Sequence, residues 1–512
     1  MSTMYDCYLI GIPYITSVYP NAALALLKGV AEERGYAVKS RCVAWEVARH
    51  FNNDTKNLEF CNPILNNLPY SFDQIRSSGI GNMLYSVAKE AMESRNIALN
   101  CFSYYNTIGC LYILEILKQH NYTGRVLVGG KGIKTLVKFM KEFDGREDAI
   151  AYDIFLQYSN VDICYGDGEE YFIDWLEGAD EKDSVTRNAP LDYVSNFDDF
   201  DDHTMLPITG SRGCVRKCTF CDIPGQFEKY RWADGGTVAD RMLFYHRKYG
   251  TKKFYFTDSL VNGNMRAFTS FLDTIIDYKH RYDIDFRWTG QYITRPIKQM
   301  PAEIYEKMSA SGAEGLSTGI ESGSNAVLKH MKKLFTIEDV HLQLENFRKN
   351  NLSYVLLMLP CYYTETEQDF VDTIDFLKHC QSYYADGTIV SVSGGEPLRF
   401  DGSGITPMEK MASDDHVVID HTNPRLWYAG NNPGLDFKER TRRWLYVQKA
   451  IQDLMYNDSL NPNMNVIVQN YKEEMVNLYT TGYVKKFEQE AQKLLAKHSR
   501  GGYLNELRNL SV

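Results

Sequence analysis

Twice along this chain, short apolar runs alternate with amphipathic patterns, and that alternation restricts it to parallel sheets with helices packed on their faces. In the first series Tyr8–Tyr14 (YLIGIPY), Val38–Val47, Ile97–Ser103 (IALNCFS), Arg125–Val128 and Val161–Tyr165 read as strands. Asn21–Arg34 carries apolar residues at helical spacing, with Asn21 as N-cap and Gly35 as its stop. Thr107–His120 reads as a second helix. Gly129–Gly130–Lys131–Gly132 imitates a phosphate-binding loop but fails its pattern. Arg125 stands at the first Gly position and Gly132 where Ser or Thr belongs, so the segment reads as a strand-to-loop turn.

Asp180–Asp202 (DEKDSVTRNAPLDYVSNFDDFDD) is polar and turn-rich, and reads as a linker. The second series follows, with strands expected just before Cys214 and at Lys253–Thr257, Phe286–Gly290, Gly315–Gly319, Tyr354–Leu359 and Thr388–Val392. Helical patterns such as Met265–Tyr278 and Glu367–His379 separate them. Six such units build a partial barrel whose site lies on the strand C-terminal face. From about residue 405 the pattern changes to helical segments, Lys438–Tyr456 and Glu473–Lys497, among prolines. The expected class is α/β. A doubly wound sheet domain over 1–180, a linker over 181–203, a partial (β/α)6 barrel over 204–404 and a helical region over 405–512 make it up.

At 512 residues with 44% hydrophobic and 24% charged, the composition is that of a soluble globular protein. The most apolar long stretch, Ile97–Leu117, is interrupted by Asn100, Ser103, Asn106 and Glu115, so no membrane span is expected. MSTMYDCYLIGIPY lacks the features of a signal peptide. Together with unpaired cysteines, it places the expectation in the reducing cytoplasm. A net charge of −10 disfavours a nucleic-acid partner, and the basic run Lys438–Arg443 (KERTRR) reads as a solvated helix face.

Three of the eleven cysteines carry chemistry: Cys214, Cys218 and Cys221, in GSRGCVRKCTFCDIPGQ. The spacing is C-x3-C-x2-C without a fourth cysteine nearby. A closed zinc site wants four ligands, and an electron-storing cluster wants a cysteine on every iron. Three thiolates on one loop can hold three corners of a four-iron cluster and leave the fourth iron open to react. A zinc site completed by a remote histidine is the competing reading. The remaining cysteines, Cys7, Cys42, Cys61, Cys101, Cys110, Cys164, Cys361 and Cys380, show no pairing rhythm and read as core residues.

The cysteine loop, with Phe220 before its last cysteine, resembles the radical S-adenosylmethionine (SAM) superfamily, in the branch carrying an N-terminal cobalamin-binding-type domain. The likeness continues in YRWADGGTVADRM (230–242), GAEGLSTGIESGSNAVLKHMKK (312–333), LPCYYTETEQDFVDTIDFL (359–377) and VDICYGDGEEYF (161–172). It covers roughly residues 5–400, and implies a 4Fe–4S cluster on the three cysteines and SAM chelated at the open iron. In that family SAM is cut to a 5′-deoxyadenosyl radical that takes hydrogen from an unactivated carbon. The resemblance further implies that Asp258 meets the SAM amino group, Glu321 the ribose hydroxyls and Lys333 the SAM carboxylate, with Phe220 beside the cofactor. Gly394–Pro397 (GGEP) copies a SAM-binding motif but stands after the sixth strand, so it reads as a turn.

Cobalamin is the third cofactor the resemblance implies, though D-x-H-x-x-G is absent: placed on His50, it meets Ala48 and Asn53. The leading expectation is a radical SAM enzyme that methylates carbon through cobalamin. Ring formation, rearrangement or oxidation without cobalamin is the alternative, and a metal-stabilised binding protein is the non-enzymatic one. A methylthiotransferase is disfavoured, because no second cysteine trio precedes the first. The expected partners are a small-molecule or peptide substrate and an electron donor such as flavodoxin or ferredoxin.

Overall fold

Strand β1 (Cys7–Gly11) is buried at all five residues, as a strand covered on both faces must be. It is the second strand of a five-stranded parallel sheet of order β2-β1-β3-β4-β5, with β2 Val38–Cys42, β3 Asn96–Asn100, β4 Val126–Gly129 and β5 Val161–Cys164. The computed structural model describes residues 4–13, 19–50, 72–133 (apart from 77–78 and 103–105), 155–178 (apart from 156 and 165), 188–384 (apart from 228), 390–394, 398, 411, 416–420, 426–454 and 481–498. These form two compact units, Met1–Gly210 with Trp232–Thr257, and Ser211–Arg231 with Asp258–Val512.

In the first unit, helix α1 (Ala22–Glu33) begins where expected: Asn21 Oδ1 accepts from the Leu24 amide at 3.0 Å. Helices α2 (Val43–His50), α3 (Gly79–Ala91), α4 (Thr107–Gln119) and α5 (Gly168–Leu176) complete the layers. The register puts Gly11, Cys42, Asn100, Gly129 and Cys164 side by side at the carboxyl edge. Gly130, at φ 122, follows β4 and lies against the Cys101 carbonyl, where a Cβ would not fit. The glycine run is therefore not the expected strand-to-loop turn: it bends at Gly130 between the end of β4 and a helical segment over residues 131–133. Of the turns that follow β1 and β3 at this edge, Tyr14–Thr16 and Tyr104–Tyr105 lie outside the described residues.

The polar stretch before residue 204 is, in its described part, packed down. Asp199 accepts from Lys28 Nζ at 2.6 Å, Lys39 Nζ at 2.9 Å and the Ser40 amide at 2.7 Å. Phe197 and Phe200 are buried beside it, and a Cβ on Gly29 of α1 would strike the Val194 carbonyl. The aromatic spacing within NFDDF, hidden among acids, supplies the anchor. The unit closes with β6 (Met205–Ile208) and β7 (Lys253–Phe256), paired in parallel. Helix α6 (Gly235–Tyr249) connects them, capped by Asp234 and stopped at Gly250, φ 75.

The second unit continues the strand–helix alternation. Strands β8 (Arg287–Thr289), β9 (Gln291–Tyr292), β10 (Leu316–Glu321), β11 (Tyr354–Met358) and β12 (Val390–Gly394) follow helix α7 (Met265–Tyr282). The last four strands form a parallel sheet in sequence order. Between them run α8 (Ala302–Ser311), α9 (Asn325–His330), α10 (Ile337–Lys349) and α11 (Glu367–Tyr384). The C-terminal region is helical as expected, with α12 (Phe437–Leu454) and α13 (Tyr483–His498), and also holds a hairpin, β13 (Val417–Ile419) on β14 (Trp427–Ala429). Three-residue strands around a Pro-containing segment are too short to show periodicity, which is why the sequence reading passed over them. Gly395–Pro397 and residues 473–480 lie outside the described residues. Among the described residues, no helix is long and apolar enough to cross a membrane.

Candidate functional site

The cysteine loop starts from a forced turn. Gly213 sits at φ 82, with the Lys229 carbonyl 3.1 Å from where a Cβ would be. Cys218 is buried, and Cys214 and Cys221 are partly so. The Arg216 amide donates to Cys214 Sγ at 3.3 Å and the Cys221 amide to the Cys218 carbonyl at 3.2 Å, which folds the loop back on itself. Burial is the main influence on all three thiols and pushes them up, Cys221 to about 12. Lys333 and Arg216 pull Cys214 and Cys218 the other way. Thiols this reluctant to ionise become ligands when a bound metal supplies positive charge.

Among the described residues, no three His, Cys, Asp or Glu side chains gather as ligands of one metal ion. The loop cysteines nevertheless feel one another's charge. A cluster asks for that arrangement, since each thiolate binds a different iron and the sulfurs need not converge on one point. The donor set fits the group implied by the spacing.

Three of the other expected residues meet beside the loop. Lys333 Nζ donates to Glu321 Oε1 at 3.1 Å and lies over the Phe220 ring, 5.4 Å from its centre. Lys333 is buried, and both Lys333 and Glu321 act electrostatically on Cys218. Glu321 reaches this position because β10 ends in an irregularity between Gly319 and Glu321, with Glu321 itself at φ 74. A Cβ on Gly319 would collide with Glu321 Oε1 and crowd Lys333 Nζ. Asp258 is buried and lies near enough to Tyr230 to act on it electrostatically. That phenol is pushed up first by burial and further by Asp258 and Cys214.

Residues that sequence reasoning missed complete the surroundings. Arg216, inside the loop, is half-buried; Nη2 donates to the Thr294 carbonyl at 3.2 Å, while Nε is buried without a hydrogen-bond partner. Burial lowers its guanidinium despite the opposing pull of Cys218 and Cys214. Thr219 is fully buried, with Oγ1 2.8 Å from the Tyr362 hydroxyl. Gly319 was visible only as one glycine of GLSTGIESGS, and Thr219 only as a spacer between cysteines.

The described cysteines outside the loop are all buried, as expected, and Cys61 lies outside the described residues. Cys42 ends β2 and Cys164 ends β5, the two outer strands of the five-stranded sheet. Strands stand about 4.8 Å apart, so these thiols are too far apart to share a second cluster.

Residues 208–377 match the radical SAM superfamily. Over 184 residues the chain is 26% identical to the bacteriochlorophyllide d C-12(1)-methyltransferase of Chlorobaculum tepidum, 34% of this chain and 37% of that one. It is 22% identical over 425 residues to a tRNA-2-methylthio-N(6)-dimethylallyladenosine synthase of Alkaliphilus oremlandii, 78% and 82% of the two chains. Several curated relatives are matched over only about a third to a half of their length, 37%, 50% and 35% in three cases. Among solved structures, the radical SAM methyltransferase TsrM of Kitasatospora setae, with cobalamin and a 4Fe–4S cluster bound, superposes with a TM-score of 0.60 at 14% identity, covering 97% of this chain and 100% of that one. The cobalamin-dependent SAM radical enzyme OxsB, with aqua-cobalamin bound, gives 0.61 at 14% identity, covering 99% and 83%. Likeness at that identity shows the fold: a Rossmann-like sheet domain followed by a radical SAM domain.

Proposed function

We propose that this chain, which carries a radical SAM domain over residues 208–377, cleaves SAM reductively and uses the resulting 5′-deoxyadenosyl radical to methylate an unactivated carbon with cobalamin as methyl carrier. The observation that carries the reading is the meeting of Lys333, Glu321 and Phe220 beside a loop of three buried or half-buried cysteines. A 4Fe–4S cluster held there supplies an open iron for SAM and the electron that cuts it. Cys214, Cys218 and Cys221 are its ligands. Lys333 has donors beyond the one on Glu321 and meets the SAM carboxylate. Glu321 keeps Oε2 for the ribose hydroxyls, and Asp258, buried near Tyr230, accepts from the amino group. The electron comes from a small carrier such as flavodoxin or ferredoxin, and the substrate is a small molecule or peptide.

The carboxyl edge of the first unit's sheet, where Gly11, Asn100 and Gly129 lie side by side, is the edge at which a parallel sheet takes a ligand, and it is where this reading puts cobalamin. No imidazole is supplied in the D-x-H-x-x-G manner; His50 is the last residue of α2. That departure keeps a second reading in play, in which the same radical forms a ring, rearranges or oxidises its substrate without cobalamin. A third, methylthiolation, asks for a second N-terminal cysteine trio, which the sequence spacing does not supply.

Anaerobically reconstituted protein is expected to hold one four-iron cluster per chain and, once reduced, to release 5′-deoxyadenosine from SAM. Cys214→Ala, Cys218→Ala or Cys221→Ala should each abolish both, while Cys380→Ala, in α11, should leave them intact. Zinc in place of iron, or cleavage no faster than by the cysteine variants, would end the reading in favour of a metal-stabilised binding protein.

A further inference from the structure

The basic run Lys438–Arg443 was expected to be a solvated helix face, but two of its arginines are buried, Arg440 at 3% and Arg443 at 4% exposure. Arg443 uses all three of its guanidinium nitrogens. Nη1 donates to the Glu365 and Thr366 carbonyls, both at 3.0 Å, and to Glu365 Oε1 at 3.1 Å. Nη2 donates to Glu367 Oε2 at 3.0 Å and Nε to Glu439 Oε1 at 2.8 Å. Glu365, itself buried, turns its other oxygen to the Cys361 amide at 3.2 Å. From the same helix the Arg440 carbonyl accepts from Cys361 Sγ at 3.4 Å. These bonds hold Cys361 at φ 62, a left-handed conformation that residues with side chains rarely keep unless their surroundings impose it.

The next residue is Tyr362, fully buried, whose hydroxyl lies 2.8 Å from Thr219 Oγ1 and 3.2 Å from His330 Nδ1. Thr219 stands between Cys218 and Phe220 in the cysteine loop, and its amide donates to the Met331 carbonyl at 3.1 Å. Phe220 packs on the apolar cluster that contains Tyr362, Tyr363 and Trp427. A continuous series of bonds thus runs from α12, near the C-terminal end of the chain, to the residue between two metal-ligand positions.

We propose that Arg443 is a positioning residue for the cysteine loop: it fixes the backbone at Cys361, this aims the Tyr362 hydroxyl, and the hydroxyl holds Thr219 and with it Cys218 and Phe220. The proposal rests on reading the loop as a cluster site. It assigns the C-terminal region a part in holding the metal that no cysteine spacing reveals. Arg is required because only its planar fork can reach two carbonyls and three carboxylates together; a lysine keeps the charge and loses the geometry.

The test uses the full chain, reconstituted without oxygen, as wild type, Arg443→Lys, Tyr362→Phe and the double variant. Transfer of iron to a ferrous chelator is timed, and the EPR line shape of the reduced cluster is recorded, with thermal unfolding as the control for gross stability. Each single variant should lose iron about tenfold faster, the effect of one buried hydrogen bond, with an altered EPR line shape. The double variant should be no faster than the faster single, because both changes break one series. Tyr362→Phe, which deletes only a hydroxyl, keeps the test decisive if Arg443→Lys does not fold. Iron loss from Tyr362→Phe within about twofold of wild type, or rates that multiply in the double variant, would overturn the proposal. Should wild type take up no iron, the cluster reading fails by itself. Alkylation of Cys218 in the iron-free chains then decides the positioning: faster in the variants supports it, equal rates overturn it.

Discussion

Gly319 is the residue on which the candidate SAM site is most exposed to a single small change. Its missing side chain leaves the volume that Glu321 Oε1 and Lys333 Nζ occupy. Gly319→Ala should displace that pair at little cost in stability, because the atom it strikes is the end of the flexible Glu321 side chain. It should weaken SAM binding at least about tenfold while leaving iron content unchanged, since no cysteine is touched. Titration calorimetry with SAM on the iron-loaded protein checks this; unchanged affinity would mean that the Glu321–Lys333 pair does not contact SAM. The cysteines were legible in the sequence because three ligands lie within one short loop. Lys333 was legible only through the family resemblance. Gly319, Arg216 and Arg443 were not, because each acts through a partner brought close by the fold: Thr294 for Arg216 and Glu365 for Arg443.

At the scale of elements, four of the five expected strands of the first series were found to within a few residues, whereas Val38–Val47 is a strand only to Cys42 and turns into helix α2 at Val43, because a short apolar run does not by itself tell strand from helix. The acidic segment around Asp199 was misleading for another reason. It reads as a polar linker, yet Asp199 sinks between Lys28 and Lys39 and ties the segment to α1 and β2. Burial by itself would raise this carboxyl, but Lys28, Lys39 and the Ser40 amide outweigh it and hold it below its usual value. A depressed carboxyl contributes stability above the ordinary carboxylate range and loses it as pH falls through the lowered folded value. The unit should therefore weaken on acidification below about pH 4. Asp199→Asn should flatten that part of the pH profile. Asp199→Ala should cost about 3 kcal/mol by leaving two ammonium groups without their shared carboxylate. Urea unfolding followed by tryptophan fluorescence is a suitable measure, because Trp45 lies edge-on to Phe200, the next residue, 5.4 Å between ring centres.

At the scale of the whole molecule, the two strand–helix series and their order were legible, and only the division into compact units was not. Strands β6 and β7 belong by sequence to the second series, yet they fall in the same compact unit as the five-stranded sheet. Periodicity records which segments are strands, whereas grouping depends on contacts between distant ones. The same scale is where cobalamin is tested. Protein expressed with cobalamin available should show a corrin absorption band and about one cobalt per chain. With its true substrate it should yield S-adenosylhomocysteine beside 5′-deoxyadenosine. SAM consumption without corrin uptake would favour the non-methylating reading and leave the first unit a scaffold.

The backbone changes from one unit to the other after Gly210, Arg231 and Thr257. No single break in the gene can therefore yield two complete pieces. A cut at the first crossing strips α6 and β7 from the N-terminal half, and a cut at the last strands the cysteine loop away from Lys333 and Glu321. A version of this protein divided or fused at any one of these crossings should therefore lack part of one compact unit.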